Sequence, residues 1–358
     1  MGSRKKKAGA IAAPPRAPGS PRVVAVTGAF GALGRRLVPL LEADPEIDRV
    51  VAIDLRPAAL GPDVDPAAFL AAHGKLSSHT LDLAGAGADR ELADVLEREG
   101  AGALIHLALL SSPTHALEMA HEVETIGTLH MLHAVAAARV GYLLSLSSAM
   151  CYGARPSNPA WITEEHALEP PPSRSLRDKA DADRQVRRFG EEHPDHVVAV
   201  ARVGAMLGSA DDHFWTRLFG RRLVPAVLGY DPLVQLMLPD DAAAALHALL
   251  RARARGPFNV VGRGVLPYSH VLSRLARVPL YVPPGIGRSL LGALWTAQLS
   301  DIPRHFLDYL RWSWVCDGER LRRETGFTPA ADIATTLQVF QSGAWRSDAR
   351  DLRMRGAA

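Results

Sequence analysis

The chain has 358 residues, 47% of them hydrophobic, ample for a sizeable core in one large domain or two closely packed ones. Its formal charge is +3, yet Arg4, Lys5, Lys6, Lys7, Arg16 and Arg22 all fall in a Pro/Ala/Gly-rich start without an acidic residue, and the body without them carries about −3. That balance excludes a body built to bind nucleic acid, and two distant cysteines without a CxxC or Cys/His cluster exclude a disulfide framework and a zinc site.

Residues 1–21 read as a disordered basic tail, with no apolar run of a secretory signal, so the cytoplasm is the expected location. Short apolar runs follow at "RVVAVT" (22–27), "VVAID" (50–54), "ALIHLAL" (103–109), "YLLSLSS" (142–148) and "HVVAVARV" (196–203), as in strands buried on both faces. Helical segments lie between them at about 32–42, 88–99, 113–138 and 177–192. The β-α-β-α order predicts an α/β, Rossmann-type, doubly wound parallel sheet over residues 22–205.

Beyond residue 205, prolines and glycines punctuate shorter elements, and a smaller mixed α/β substrate region is expected over 206–345, interleaved with the sheet and followed by a tail at 346–358. The apolar stretch "SLLGALWTAQL" (289–299) is much shorter than the roughly 20 residues that span a bilayer and reads as a buried helix, with no stable membrane insertion.

The first informative motif is "VTGAFGALG". Gly28, Gly31 and Gly34 follow a strand and open a helix, where glycines permit a tight turn and bring backbone amides to a pyrophosphate. Asp54 ends the next strand 20 residues after Gly34, where a carboxylate accepts hydrogen bonds from adenosine ribose hydroxyls and repels a 2′-phosphate. NAD is therefore expected over NADP, although Arg56 leaves the phosphorylated coenzyme open.

These pieces resemble the extended short-chain dehydrogenase/reductase family, that of the NAD-dependent sugar-nucleotide epimerases and dehydratases, from residue 22 to about 340. The resemblance implies a cofactor loop at "TGAFGALG", with Phe30 and Leu33 between its glycines. It also implies an adenine-contacting strand end at "LDL", with Asp82 and Leu83, and a strand passing the cofactor at "LIHLAL", with Leu107 and Ala108. "LSLSSAMCYG" looks like the catalytic-serine strand and places Ser148 at the active serine. "GFTPAADIATTLQVF" is similar to the usual C-terminal helix. A homodimer through the helices at 113–138 and 177–192 is a further implication.

The family's chemistry needs a Tyr-x-x-x-Lys pair on the next helix, and here that segment reads "SLRDK", so Ser175 stands in for the tyrosine. No other YxxxK exists: the residues four beyond the six tyrosines are Leu146, Pro156, Val234, Leu272, Gly285 and Ser313. Lys179 is one of only five lysines against 41 basic residues, and a compact ammonium reaches a ribose hydroxyl where a planar guanidinium does not fit. It is expected to hold the cofactor ribose.

A serine hydroxyl is a far weaker acid than a phenol and stops short of a substrate, so Ser175 would act through a bridging water. Glu124 stands where the family usually has asparagine, either as a surface carboxylate, the favoured reading, or as a partly buried group with a raised pKa. Tyr152 reads as a packing residue, and the histidines at 115, 121, 130 and 133 as helix-surface or core residues and not metal ligands.

The resemblance also places diphosphate-holding groups at positions that here read Ala205 and, approximately, Val234 beside Gln235. The small-molecule substrate is thus a nucleotide sugar or a more apolar alcohol or ketone, which the aromatics Phe214, Trp215, Trp295, Phe306, Tyr309, Trp312 and Trp314 could line. Two functions follow: an NAD-dependent epimerase/dehydratase-like oxidoreductase with an altered proton relay, or an NAD(H)-binding protein without turnover.

Overall fold

A computed structural model describes residues 21–55, 74–110, 114–208, 214–298 and 302–343. Residues 1–20 of the expected basic tail, the tail at 346–358 and Arg56 lie outside them.

The predicted apolar runs form one sheet. Strands β1 (Val23–Thr27), β2 (Arg49–Asp54), β3 (Leu76–Thr80), β4 (Ala103–His106), β5 (Tyr142–Ser148), β6 (Val197–Val203) and β7 (Gly256–Val260) lie in the order β7-β6-β5-β4-β1-β2-β3, every pair parallel. Central strands β1 and β4 are buried almost throughout, as apolar runs covered on both faces must be. Edge strand β3 reads Leu-Ser-Ser-His-Thr and is only half-buried, so no apolar run marks it in the sequence. Strand β7 lies beyond residue 205 and completes the sheet beside β6.

Helix α1 (Gly34–Ala43) buries Leu37, Val38 and Leu41, and α2 (Ala88–Glu99) buries Leu92, Val95 and Leu96 on the opposite layer. The long helical segment after β4 has three parts: α3 (Leu117–His121), a π-helical turn at Glu122–Ile126, and α4 (Gly127–Ala137). Helix α5 (Arg174–Glu192) starts three residues before its expected place and packs on β5, β6 and the π turn. Past β6 come a helix, α6 (Pro239–Ala252), against α1, and three short two-stranded sheets.

The helix expected to be buried in the C-terminal region is α7 (Pro284–Thr296), and there the expectation fails. Only Gly287 is buried along it, while Ile286 and Leu290 are 67% and 52% exposed. The helix rests one edge on the 3-10 turn Arg304–Leu310, and its apolar composition exceeds the surface that the chain supplies to cover it. No helix among the described residues is long and apolar enough to cross a membrane. Cys151 and Cys316 are both buried free thiols.

The sheet's register brings Thr27 of β1 opposite both Ile53 of β2 and His106 of β4, under the glycine turn. Thr27 Oγ1 and His106 Nδ1 lie 2.7 Å apart, and both residues are fully buried. Burial holds the imidazole neutral and pushes its pKa down to about 4. The stability that depends on the neutral ring is whole above its unfolded value near 6.5 and is lost as pH falls through about 4, a loss of about 3 kcal/mol. Denaturant midpoints followed between neutral pH and pH 4 should show that slope in the wild type, and His106→Gln should flatten it.

Candidate active site

The turn between β1 and α1 is built around two glycines that tolerate no replacement. Gly28 has φ +69°, and a Cβ there would sit 2.9 Å from the Leu107 carbonyl carbon and the Ala108 amide nitrogen at the end of β4. A Cβ on Gly34 would lie 2.4 Å from the Ala29 carbonyl oxygen. Gly28 donates its amide to Ile53 O at 2.8 Å, which ties the turn to β2. Phe30 is buried in the core, and its amide donates to Asp54 Oδ2 at 2.9 Å, so the acid at the end of β2 is clasped to the loop.

Leu33 precedes the helix without a side-chain cap, so no side chain competes for the first-turn amides of α1. Gly28, Gly31, Leu33 and Gly34 face a cavity of ≈ 200 Å³ above the C-terminal ends of the strands. This bare helix start, with its positive dipole end and no side chain in the way, fits the pyrophosphate of a dinucleotide.

Four other predicted residues reach the same cavity: Leu107, Ser148, Ser175 and Lys179. Ala108, Asp82 and Leu83 do not line it. Asp82 is exposed and its carboxylate accepts from the Ala84 amide at 3.0 Å. Leu83 is a core residue whose carbonyl oxygen lies 2.8 Å from His130 Nδ1.

Ser148 ends β5, and its Oγ accepts from the Met150 amide at 3.2 Å, which leaves the hydroxyl proton to donate elsewhere. Lys179 sits one helical turn after Ser175 on α5. Its ammonium donates to the Leu110 carbonyl oxygen at 2.7 Å and to Glu124 Oε1, so two of its three N–H bonds are spoken for and one remains for the cavity.

Glu124 corrects the favoured sequence reading. It is fully buried, not a surface carboxylate, because it falls inside the π turn. Such a turn holds one residue more than an α-helical turn and displaces the faces that regular spacing would assign. Burial raises the Glu124 pKa above the ordinary carboxylate value, against the attraction of Lys179. Its Oε2 has no hydrogen-bond partner among the described residues.

Beneath the serine strand lies a polar network that the sequence reading missed. Arg202 of β6 and Asp183 of α5, both without exposed side-chain surface, pair through two hydrogen bonds of 2.9 Å. Ser147 donates to Asp183 Oδ2 at 2.7 Å, and Arg202 Nη1 donates to the Tyr152 hydroxyl at 2.8 Å. Tyr152 in turn donates to Asn259 Oδ1 at 2.8 Å, so this tyrosine is buried structure, as expected. The one sequence signal was an arginine inside the otherwise apolar strand "VVAVARV".

The remaining cavity wall is apolar, from Leu110, Leu146, Met150, Val203, Met206 and the aromatics Phe214, Trp215 and Phe306. Tyr309 and Trp314 are core residues, and Tyr309 donates to the Met150 carbonyl oxygen at 2.6 Å. Among the described residues no group of histidine, cysteine, aspartate and glutamate could hold a metal. His115 stacks on Trp295 and His121 lies 3.2 Å from Asp178, in keeping with structural roles.

Residues 24–261 match the NAD dependent epimerase/dehydratase family. The chain belongs to this family. An uncharacterized protein of Mycobacterium tuberculosis is 30% identical over 328 residues, covering 90% of this chain and 83% of its own length, and one of Mycobacterium bovis matches equally. The fold is also that of dTDP-glucose 4,6-dehydratase from Bacillus anthracis, solved with NAD (TM-score 0.68, 16% identity, 92% of this chain and 98% of that one). The UDP-glucose 4-epimerase of Thermus thermophilus, also with NAD, superposes with TM-score 0.68 at 18% identity over 90% of this chain and 99% of its own. The Rossmann-type α/β class of the sequence reading is thereby shown.

Lys179 pairs with Glu124 and also lines the cavity, so its contact with the carboxylate and its expected hold on the coenzyme can be tested apart. Lys179→Met strands a buried carboxylate and should cost about 3–5 kcal/mol of stability while weakening reduced coenzyme. Adding Glu124→Gln should return most of the stability and none of the affinity. Denaturant midpoints and NADH titrations of the single and double variants separate the two.

Proposed function

We propose that this protein is an NAD-dependent oxidoreductase acting on a secondary alcohol or its ketone, with a proton relay that runs through Ser175 and water. One observation carries the reading: Ser148, Ser175 and Lys179, spread over 32 positions of the chain, meet the glycine turn in a single cavity.

The glycine turn and the start of α1 would hold the pyrophosphate, Asp54 the adenosine ribose, and the third N–H of Lys179 the nicotinamide ribose. NAD supplies a hydride acceptor, or in reduced form a donor, at its nicotinamide ring. Ser148 donates its free proton to the substrate oxygen and orients it. In oxidation, the substrate hydroxyl gives its proton to a bridging water, that water passes one of its own to Ser175 Oγ, and the Ser175 hydroxyl releases its proton to a second cavity water; the reverse holds in reduction. A neutral serine is a weak relay, so turnover should lag behind a phenol-driven reaction by about 10²–10⁴-fold.

A nucleotide sugar is one substrate class, since a protein of this fold, MoeE5, is solved with UDP-glucuronic acid and NAD at 21% identity and TM-score 0.68, over 90% of this chain and 99% of that one. The apolar wall favours the other, a bulkier and less polar alcohol or ketone. Gln235 is fully engaged, donating to Gly262 O at 2.9 Å and Cys316 O at 3.2 Å and accepting from Cys316 N at 3.0 Å, while Ala205 offers no polar group. Turnover in the cytoplasm, as a homodimer through α3, α4 and α5, completes the reading.

Glu124 favours a second reading, a non-catalytic NAD(H)-binding protein, since it engages the lysine that a phenol would otherwise need. Fluorescence titration with NADH followed by turnover assays on secondary alcohols decides between them. The expected outcome is NADH binding, slow native turnover, and Ser148→Ala lowering kcat at least about tenfold with NADH affinity unchanged. Activity that appears only in Ser175→Tyr would establish the binding role, and no NADH binding at all would sink both.

A further inference from the structure

Beside the candidate active site lies a second hollow, of ≈ 820 Å³, and the two share Ser175. Its walls come from α7, the segment leading into α5, the start of α3 and the turn that begins at Arg304. Arg174, Arg288, Arg304 and His305 line it, and among the described residues none that lines it is acidic. Arg174 is held by Glu118 at 2.7 Å and Arg288 by Asp308 at 2.9 Å, whereas Arg304 has no acidic partner among the described residues.

His305 adds an independent observation. Arg304 Nε–H donates to His305 Nε2 at 3.3 Å, so Nε2 is the lone-pair nitrogen and the ring proton sits on Nδ1. Nδ1 is buried and has no hydrogen-bond partner among the described residues. Burial together with the charges of Arg304, Arg288 and Arg177 pushes the imidazole pKa below its ordinary value. A buried, unsatisfied donor within the field of three guanidinium groups is a site short of negative charge and of acceptors. Ser289 and Thr296 place hydroxyl groups along the same wall.

We propose that this groove is an anion subsite that holds a phosphate group of the substrate, whose apolar reacting end enters the cavity past Ser175. The inference about the reacting end rests on the oxidoreductase reading, while the anion site stands on its own residues. A phosphate suits the groove because it presents several acceptor oxygens and a charge that arginine forks match. Ser175 borders both hollows, and its small side chain is the one over which the substrate would pass. Among the described residues the cavity offers no cation besides Lys179, which Glu124 already neutralises, so a charged group has its partners in the groove.

The test uses the full-length protein saturated with NADH, so that the glycine turn is filled, and calorimetric titration with inorganic pyrophosphate. Binding that weakens with added salt is expected, and Arg304→Ala and Arg288→Ala should each weaken it about tenfold with NADH affinity unchanged. Dodecyl phosphate should compete with pyrophosphate and bind more tightly, because its chain reaches the apolar cavity; competition without tighter binding would mark a site for free phosphate alone and overturn the amphiphilic substrate. Pyrophosphate binding that is absent, or equal in the arginine variants, overturns the proposal outright. Arginine-dependent pyrophosphate binding in a protein that fails to bind NADH upholds the subsite and refutes the oxidoreductase reading instead.

Discussion

The geometry of the site depends on a charge pair that never meets solvent. Arg202 and Asp183 fasten β6 to α5, and Ser147 fastens the same carboxylate to β5. Ser148 and Lys179 stand one and four residues from these anchors, so the distance from serine to lysine across the cavity is fixed by groups outside it. Burying such a pair gains little net stability, since desolvation offsets the attraction, but either partner left alone would be a buried, uncompensated charge. The pair therefore acts chiefly on register: sliding α5 along the sheet would break three buried hydrogen bonds at once.

In the proposed function the second pair, Glu124 with Lys179, belongs to the chemistry of the site. A carboxylate in place of a neutral partner takes up much of the lysine's charge, and a serine in place of a phenol removes the group that most needs that charge. The two departures are mutually consistent. On that proposal, with no phenol to acidify, the cation would serve as an oriented donor toward the cavity, held in place by Glu124.

Most of the sheet was legible because its central strands are short runs of β-branched and apolar residues, and the glycine turn was legible because its spacing is a local property. Edge strand β3 was not, since half-buried polar residues such as Ser77 and Ser78 carry no apolar run. Glu124 was misjudged because a π turn breaks the 3.6-residue period on which a surface assignment rests. Ser148, Ser175 and Lys179 came from a motif, whereas the pairing of Lys179 with a residue 55 positions away has no local trace. Helix α7 looked buried because composition alone cannot tell whether the same chain will cover it.

Strand β7 carries one further consequence. It arises from residues 256–260 yet flanks β6, with Phe258 fully buried and Asn259 anchored to Tyr152 and Glu164. The coenzyme-binding half is thus stitched shut by the half that follows it in the chain. A fragment ending near residue 205 would present β6 as a raw, ungated border of unpaired amides and carbonyls, a template for aggregation in place of a smaller working protein.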